Sequence, residues 1–148
     1  MKPEATRILE HTMTALLGEI APAMTPAYRQ ASVSALGALL LCVREEFDRA
    51  ASRRIDENRA LRGLFARASE VAVDDALVRR LREAAGEDDP DFRVPALETA
   101  NQALRRLLVD LHAHLEGLES AAARALEDEL WGELVRSVER RRVSLQAF

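Results

Sequence analysis

Residues 95–117 read PALETANQALRRLLVDLHAHLEG, and their spacing decides the fold. Leu97, Asn101, Leu104, Leu108, Leu111 and Leu115 follow one another by fours and threes. That alternation marks one face of a helix of about 3.6 residues per turn. Pro95 suits its first turn and Gly117 its end. A helix with a single apolar stripe must bury that stripe against other elements.

The same pattern recurs on both sides. Downstream, a helix is predicted from about Ser120 to Arg141, lined by Leu126, Leu130, Leu134 and Val138 with Trp131 at its flank. Upstream, GEDDPDFRVP (86–95) is an acidic loop with two prolines. A short helix precedes it, capped by Asp74 or Asp75, with Leu77, Val78 and Leu81 inward and Gly86 as its stop. Another short helix, ENRALRGLFARA (57–68), carries Leu61, Leu64 and Phe65 inward, with Asp56 as its cap after a bend at Ser52-Arg53-Arg54. The alternative is that the helix before the bend runs straight through it. That helix is expected from Pro26 to about Ala51. Tyr28, Ala31, Ala35, Leu36, Leu39, Leu40, Cys42, Val43 and Phe47 make it apolar around most of its circumference, with Leu41 on the opposite side. The first helix is expected from Pro3, with Leu9, Met13, Leu16, Leu17 and Ile20 inward, and is ended by Pro22. The expectation is an all-α, four-helix-bundle-like single domain over residues 1–148, with four long helices and two short inserted ones.

Composition narrows the function. A hydrophobic content of 48% with 31% charged residues reads as globular rather than disordered. A net charge of −4 argues against nucleic acid as a partner, because phosphate binding needs a basic footprint. Lys2 is the only lysine, so the basic residues are arginines. This reads either as a GC-rich genome or as a preference for planar anion contacts. The longest apolar run, ALGALLLCV (35–43), is too short for the roughly 20 residues of a membrane span. The N-terminal residues lack the apolar core of a signal peptide, and the single cysteine forms no internal disulfide, so a cytoplasmic location is expected. Cys42, inside the apolar run, is expected to act as a small buried hydrophobe.

Chemistry is sought where polar residues interrupt apolar stripes. Asn101 does so most plainly, as a register-fixing core amide or as a ligand-facing one. Glu46 shares a face with Tyr28, Ala35 and Leu39; it is either a buried carboxylate or one past the core edge that meets water or an arginine. Glu127 shares a face with Leu130, Trp131 and Leu134 and reads as a rim residue. His112 and Glu116, four apart, can pair, whereas His112 and His114 point apart and cannot chelate one ion. His11 is expected in solvent. No Glu is followed three residues later by His, so a carboxylate-bridged metal pair is not expected, nor any other metal or cofactor. There is no glycine-rich phosphate loop, nucleophile elbow or other catalytic pattern. Among the arginine groups (79–82, 105–106 and 140–142), Arg105 stands out, because Asn101, Arg105 and His112 form one strip beside the core stripe.

Three stretches together, ILEHTMTALLGEIAP (8–22), REEFDRAASRRIDENRALRGLF (44–65) and NQALRRLLVDLHAHLE (101–116), resemble a group of small, uncharacterised, all-helical bacterial proteins whose genes lie beside those of acyl-CoA dehydrogenases. The resemblance implies an accessory role in bacterial acyl-CoA metabolism and transfers no catalytic residue. The leading expectation is therefore a non-catalytic, homodimeric interaction or accessory protein. The alternative is a binder of an anionic small molecule, such as an acyl-CoA, at Asn101, Arg105, His112 and Glu46. A third reading, an enzyme using Glu46 or His112 as acid or base, has no motif behind it.

Overall fold

The computed structural model describes residues 4–142, and all regular structure among them is helical. Five helices follow in order. Helix α1 spans Ala5–Ala15 and is prolonged by a π-helical turn, Leu16–Ile20, and a last α-turn, Ala21–Ala23. Helix α2 spans Ala27–Ala68, α3 Asp75–Gly86, α4 Val94–Glu116 and α5 Ala121–Arg140. The expected starting point at Pro3, and most of the tail RRRVSLQAF, lie outside the described residues. No helix among the described residues is long and apolar enough to cross a membrane.

Local chemistry accounts for the boundaries. Pro22 has no N–H and crowds the carbonyl four residues back, so the chain widens into the π-turn before it and stops just after it. The expected bend at Ser52-Arg53-Arg54 is absent: α2 runs through it as one helix. Nothing there breaks a helix, for the segment holds neither glycine nor proline. The short helix expected at 57–68 is therefore the second half of α2, and Asp56 caps nothing. Asp74 caps α3 by accepting from the Leu77 N–H at 2.6 Å. Ser120 caps α5 by accepting from the Ala123 N–H at 3.1 Å.

The chain divides between Ala50 and Ala51 into two compact units. In the second, Ala51–Arg142, the later part of α2 packs with α3, α4 and α5 around Leu61, Leu64, Phe65, Leu81, Leu111 and Leu130. The α4 stripe is buried as its spacing predicts. On α5 the buried positions are Ala123, Leu126, Leu130, Glu133 and Ser137, whereas Val138 is exposed. The expected series 126, 130, 134, 138 steps by four throughout, and such a series drifts off the face of a helix of about 3.6 residues per turn.

The first unit, among its described residues 4–50, buries Met13, Ala21, Leu41 and Ala50. Helices α1 and α2 approach closely at Gly37, where a Cβ would lie 2.6 Å from Leu17 Cδ2. The inward face of α2 is thus the one holding Gly37 and Leu41. The face expected to be buried is the outer one: Tyr28, Leu36, Leu39, Val43 and Phe47 are all exposed, as is Cys42. The richest apolar face of a helix is buried only if the fold supplies a partner for it, and the described residues of this unit supply none to that side.

Leu111 is fully buried and Val109, two residues away, is 68% exposed. Leu111→Ala is expected to lower stability by about 2–5 kcal/mol in chemical denaturation followed by circular dichroism. Val109→Ala is expected to change it by no more than about 0.5 kcal/mol.

Candidate functional site

The second unit encloses a polar network in its apolar core. It begins one turn before Leu61 on α2, where Glu57 and Asn58 continue the buried face. Helix α4 contributes Asn101 and Arg105; α5 contributes Glu133 and Ser137, with Arg141 just beyond its last turn. Buried polar groups of this kind are tolerable only when each finds a partner.

Glu57 is the hub. Its Oε1 accepts from Arg105 Nε at 2.9 Å, from Arg105 Nη2, and from Ser137 Oγ at 2.8 Å. Arg141 Nη2 donates to its Oε2 at 2.9 Å. Ser137 Oγ in turn accepts from Arg105 Nη2 at 2.7 Å. Burial by itself would push the Glu57 carboxyl up. The hydrogen bonds from Arg105, Arg141 and Ser137, with the charge of Arg105, outweigh that and hold it below the usual carboxylate range. Glu98 is also held low, first by the hydrogen bond from Arg54 Nε at 2.6 Å.

A second branch runs through the amides. Asn101 Nδ2 donates to Asn58 Oδ1 at 2.9 Å, and Asn58 Nδ2 donates to Asp89 Oδ1 at 2.8 Å. Asp89 also pairs with Arg62 Nη1 at 2.9 Å. The acidic loop after α3 is thereby tied to α2. On α5, Glu133 receives Arg136 Nε at 2.9 Å and Arg140 Nη2.

The strip of Asn101, Arg105 and His112 does not converge on one opening. Asn101 turns to Asn58 on α2, and Arg105 to Glu57 on α2 and Ser137 on α5. His112 sits elsewhere, its ring edge-on to Trp131 at 5.4 Å and 88°. Its Nε2 lies 3.4 Å from Glu127 Oε1 and 3.9 Å from Glu116 Oε1. Glu46 is exposed and belongs to the first unit. His11 is exposed, as expected. The cavity beside Arg105, lined also by Glu57, Leu108, Glu133 and Ser137, measures about 130 Å³, well below the roughly 300–1,000 Å³ usual for a small-molecule pocket. A wider groove of about 570 Å³, bordered by Arg59, Arg62, Asp88 and Phe92, contains none of the four expected ligand residues. His112, Glu116 and Glu127 are the group among the described residues whose ligand atoms lie near enough to share a metal ion.

Sequence reasoning missed Glu57, Asn58, Asp89, Glu133 and Ser137. The signal for four of them was present. Glu57 and Asn58 lie four and three residues before Leu61, and Glu133 and Ser137 three and seven after Leu130, so each interrupts a stripe as Asn101 does. Asp89 lies in a loop without periodicity, and no pattern marks it. No known protein family, curated protein or solved structure matches the chain. The resemblance drawn above therefore rests on its three sequence stretches alone.

Because the Glu57 carboxyl is held below the value of about 4.3 that it takes in an unfolded chain, unfolding at mildly acid pH takes up a proton. Its contribution to stability is complete above that pH and is lost as pH falls through the folded value. Chemical denaturation from about pH 7 to 3 is expected to show an acid decline in the wild type. Glu57→Gln is expected to be less stable at neutral pH and to decline less on acidification. Parallel curves for the two proteins would contradict this.

Proposed function

We propose that the chain is an interaction protein whose first unit pairs with a second copy of itself along the outer face of α2. The observation that carries the reading is the exposure of Tyr28, Leu36, Leu39, Val43 and Phe47, which fall within about one third of the helix circumference at about 100° per residue. Single exposed hydrophobics are ordinary, whereas a contiguous apolar face marks an interaction surface.

The choice of a second copy follows from how this face is arranged along the helix. Residues 31–43 hold no Asp, Glu, Lys or Arg, so the centre of the face offers nothing to select a charged partner. Its two ends differ: Tyr28 and Arg29 stand at one, Glu46 and Phe47 at the other. An antiparallel two-fold apposition centred between residues 37 and 38 brings Tyr28 and Arg29 of each copy to Glu46 and Phe47 of the other. The same operation sets Leu36 against Leu39 and Ser32 against Val43. Opposite charge thus meets opposite charge, an arginine lies near an aromatic ring, and the apolar centre closes on itself. The small residues Ser32, on this face, and Ala35, at its edge, allow the two helices a close approach. An accessory role built on such a dimer needs no catalytic residue.

Light scattering coupled to size-exclusion chromatography tests the reading. The wild type is expected to elute as a dimer at micromolar concentration. Leu39→Glu, a change at a residue 60% exposed, is expected to yield a monomer of unchanged helix content. A wild type that stays strictly monomeric at high concentration contradicts self-pairing, as does a Leu39→Glu protein that remains dimeric.

A further inference from the structure

We propose that His112, Glu116 and Glu127 form a binding site for a first-row transition-metal dication such as Zn(II), with water completing its coordination. Helix α4 supplies His112 and Glu116 one turn apart on a single face, and α5 brings Glu127 alongside. The three ligand atoms lie within 4.8 Å of one another. Tetrahedral ligands about 2.0–2.2 Å from a zinc ion stand roughly 3.4 Å apart. His112 Nε2 and Glu127 Oε1 are already separated by 3.4 Å. Glu116 Oε1, 3.9 Å from His112 Nε2 and within 4.8 Å of the Glu127 oxygen, must move inward to reach that spacing, and its side chain is 62% exposed.

The second observation is the imidazole nitrogen. His112 Nε2 is buried and makes no hydrogen bond, although two carboxylates face it. A buried nitrogen without a partner is costly, and a cation shared with both carboxylates would satisfy all three groups. Trp131 stands perpendicular to the imidazole ring, 5.4 Å between centroids, and packs beside the site. One imidazole with two carboxylates suits zinc, cobalt or nickel, whereas magnesium and calcium prefer an all-oxygen set. The site lies in the second unit, and the pairing face of α2 lies in the first, so either can stand without the other.

Trp131 is the only tryptophan in the chain, so its emission reports on this site alone. Metal-stripped, untagged, full-length protein is titrated with Co(II), a quenching ion, and separately with Zn(II) in calorimetry. Saturable quenching by Co(II) and one Zn(II) per chain are expected. Glu116→Gln, at an exposed position, and Glu127→Gln are each expected to weaken both by about tenfold or more, the scale on which even outer-shell partners of a metal act. His112→Gln is expected to abolish them, while His11→Ala leaves them unchanged. Circular dichroism melts confirm that each variant is folded. Quenching that does not saturate, or binding indifferent to Glu116→Gln and Glu127→Gln, would overturn the proposal and leave an ordinary histidine–carboxylate pair.

Discussion

The carboxylate of Glu57, buried where α2, α4 and α5 meet, constrains everything around it. A charge removed from water is tolerated only if its lone pairs are filled and its sign is balanced. Arg105 from α4, Ser137 from α5 and Arg141 just after α5 meet that demand together. Each is set by the rotation of its helix, so a slip of one residue in any of the three would leave a buried charge without a partner. Leucine stripes set which face of each helix turns inward but leave the axial register unspecified, because leucine fits many registers. The network supplies that specification, and the Asn58–Asn101 pair repeats it one turn away. The same groups engage Asn101 Nδ2 and the Nε and Nη2 of Arg105, the donors that were expected to face a ligand.

The two units solve the problem of burial differently. In Ala51–Arg142 the stripes of four helical segments close on one another, and the buried Glu57, Asn58, Asn101, Glu133 and Ser137 within are each hydrogen-bonded. Residues 4–50 provide two helices and a small buried set. A pair of helices in about fifty residues has little core, and units of that size commonly gain stability from association. The exposed leucines and aromatics of α2 are the half-interface proposed above, a reading supported by the self-complementary order of their flanking charges.

The fold class was legible because it depends on periodicity, a property of the chain itself. The α4 stripe, a cap at one of the two aspartates before α3, and the loop between α3 and α4 followed from spacing and cap chemistry. The continuous α2 was obscured by reading a charged segment as a break, although no residue in it opposes a helix. The inward face of α2 was misread for a deeper reason. Hydrophobicity ranked its faces correctly, but the face turned toward α1 is set by close approach at Gly37, where smallness matters more than apolarity. Asn101 and Arg105 were recognised as unusual, yet their meaning lay in Glu57 and Asn58, more than forty residues distant in the chain. Glu127 read as a rim residue on its own helix; only the packing of α5 against α4 shows it facing His112. Pairings of this kind are tertiary facts, and a one-dimensional pattern carries candidates for them rather than the pairs themselves.

Native-state amide exchange at two protein concentrations tests the central claim, a polar-keyed core in one unit and a half-interface in the other, most directly. Amides of residues 61–68, 104–115 and 123–137 are expected to be the slowest and to exchange at rates independent of concentration. Those of residues 28–47 are expected to become more protected as concentration rises. Exchange in 28–47 as slow as in the core and indifferent to concentration would contradict the account.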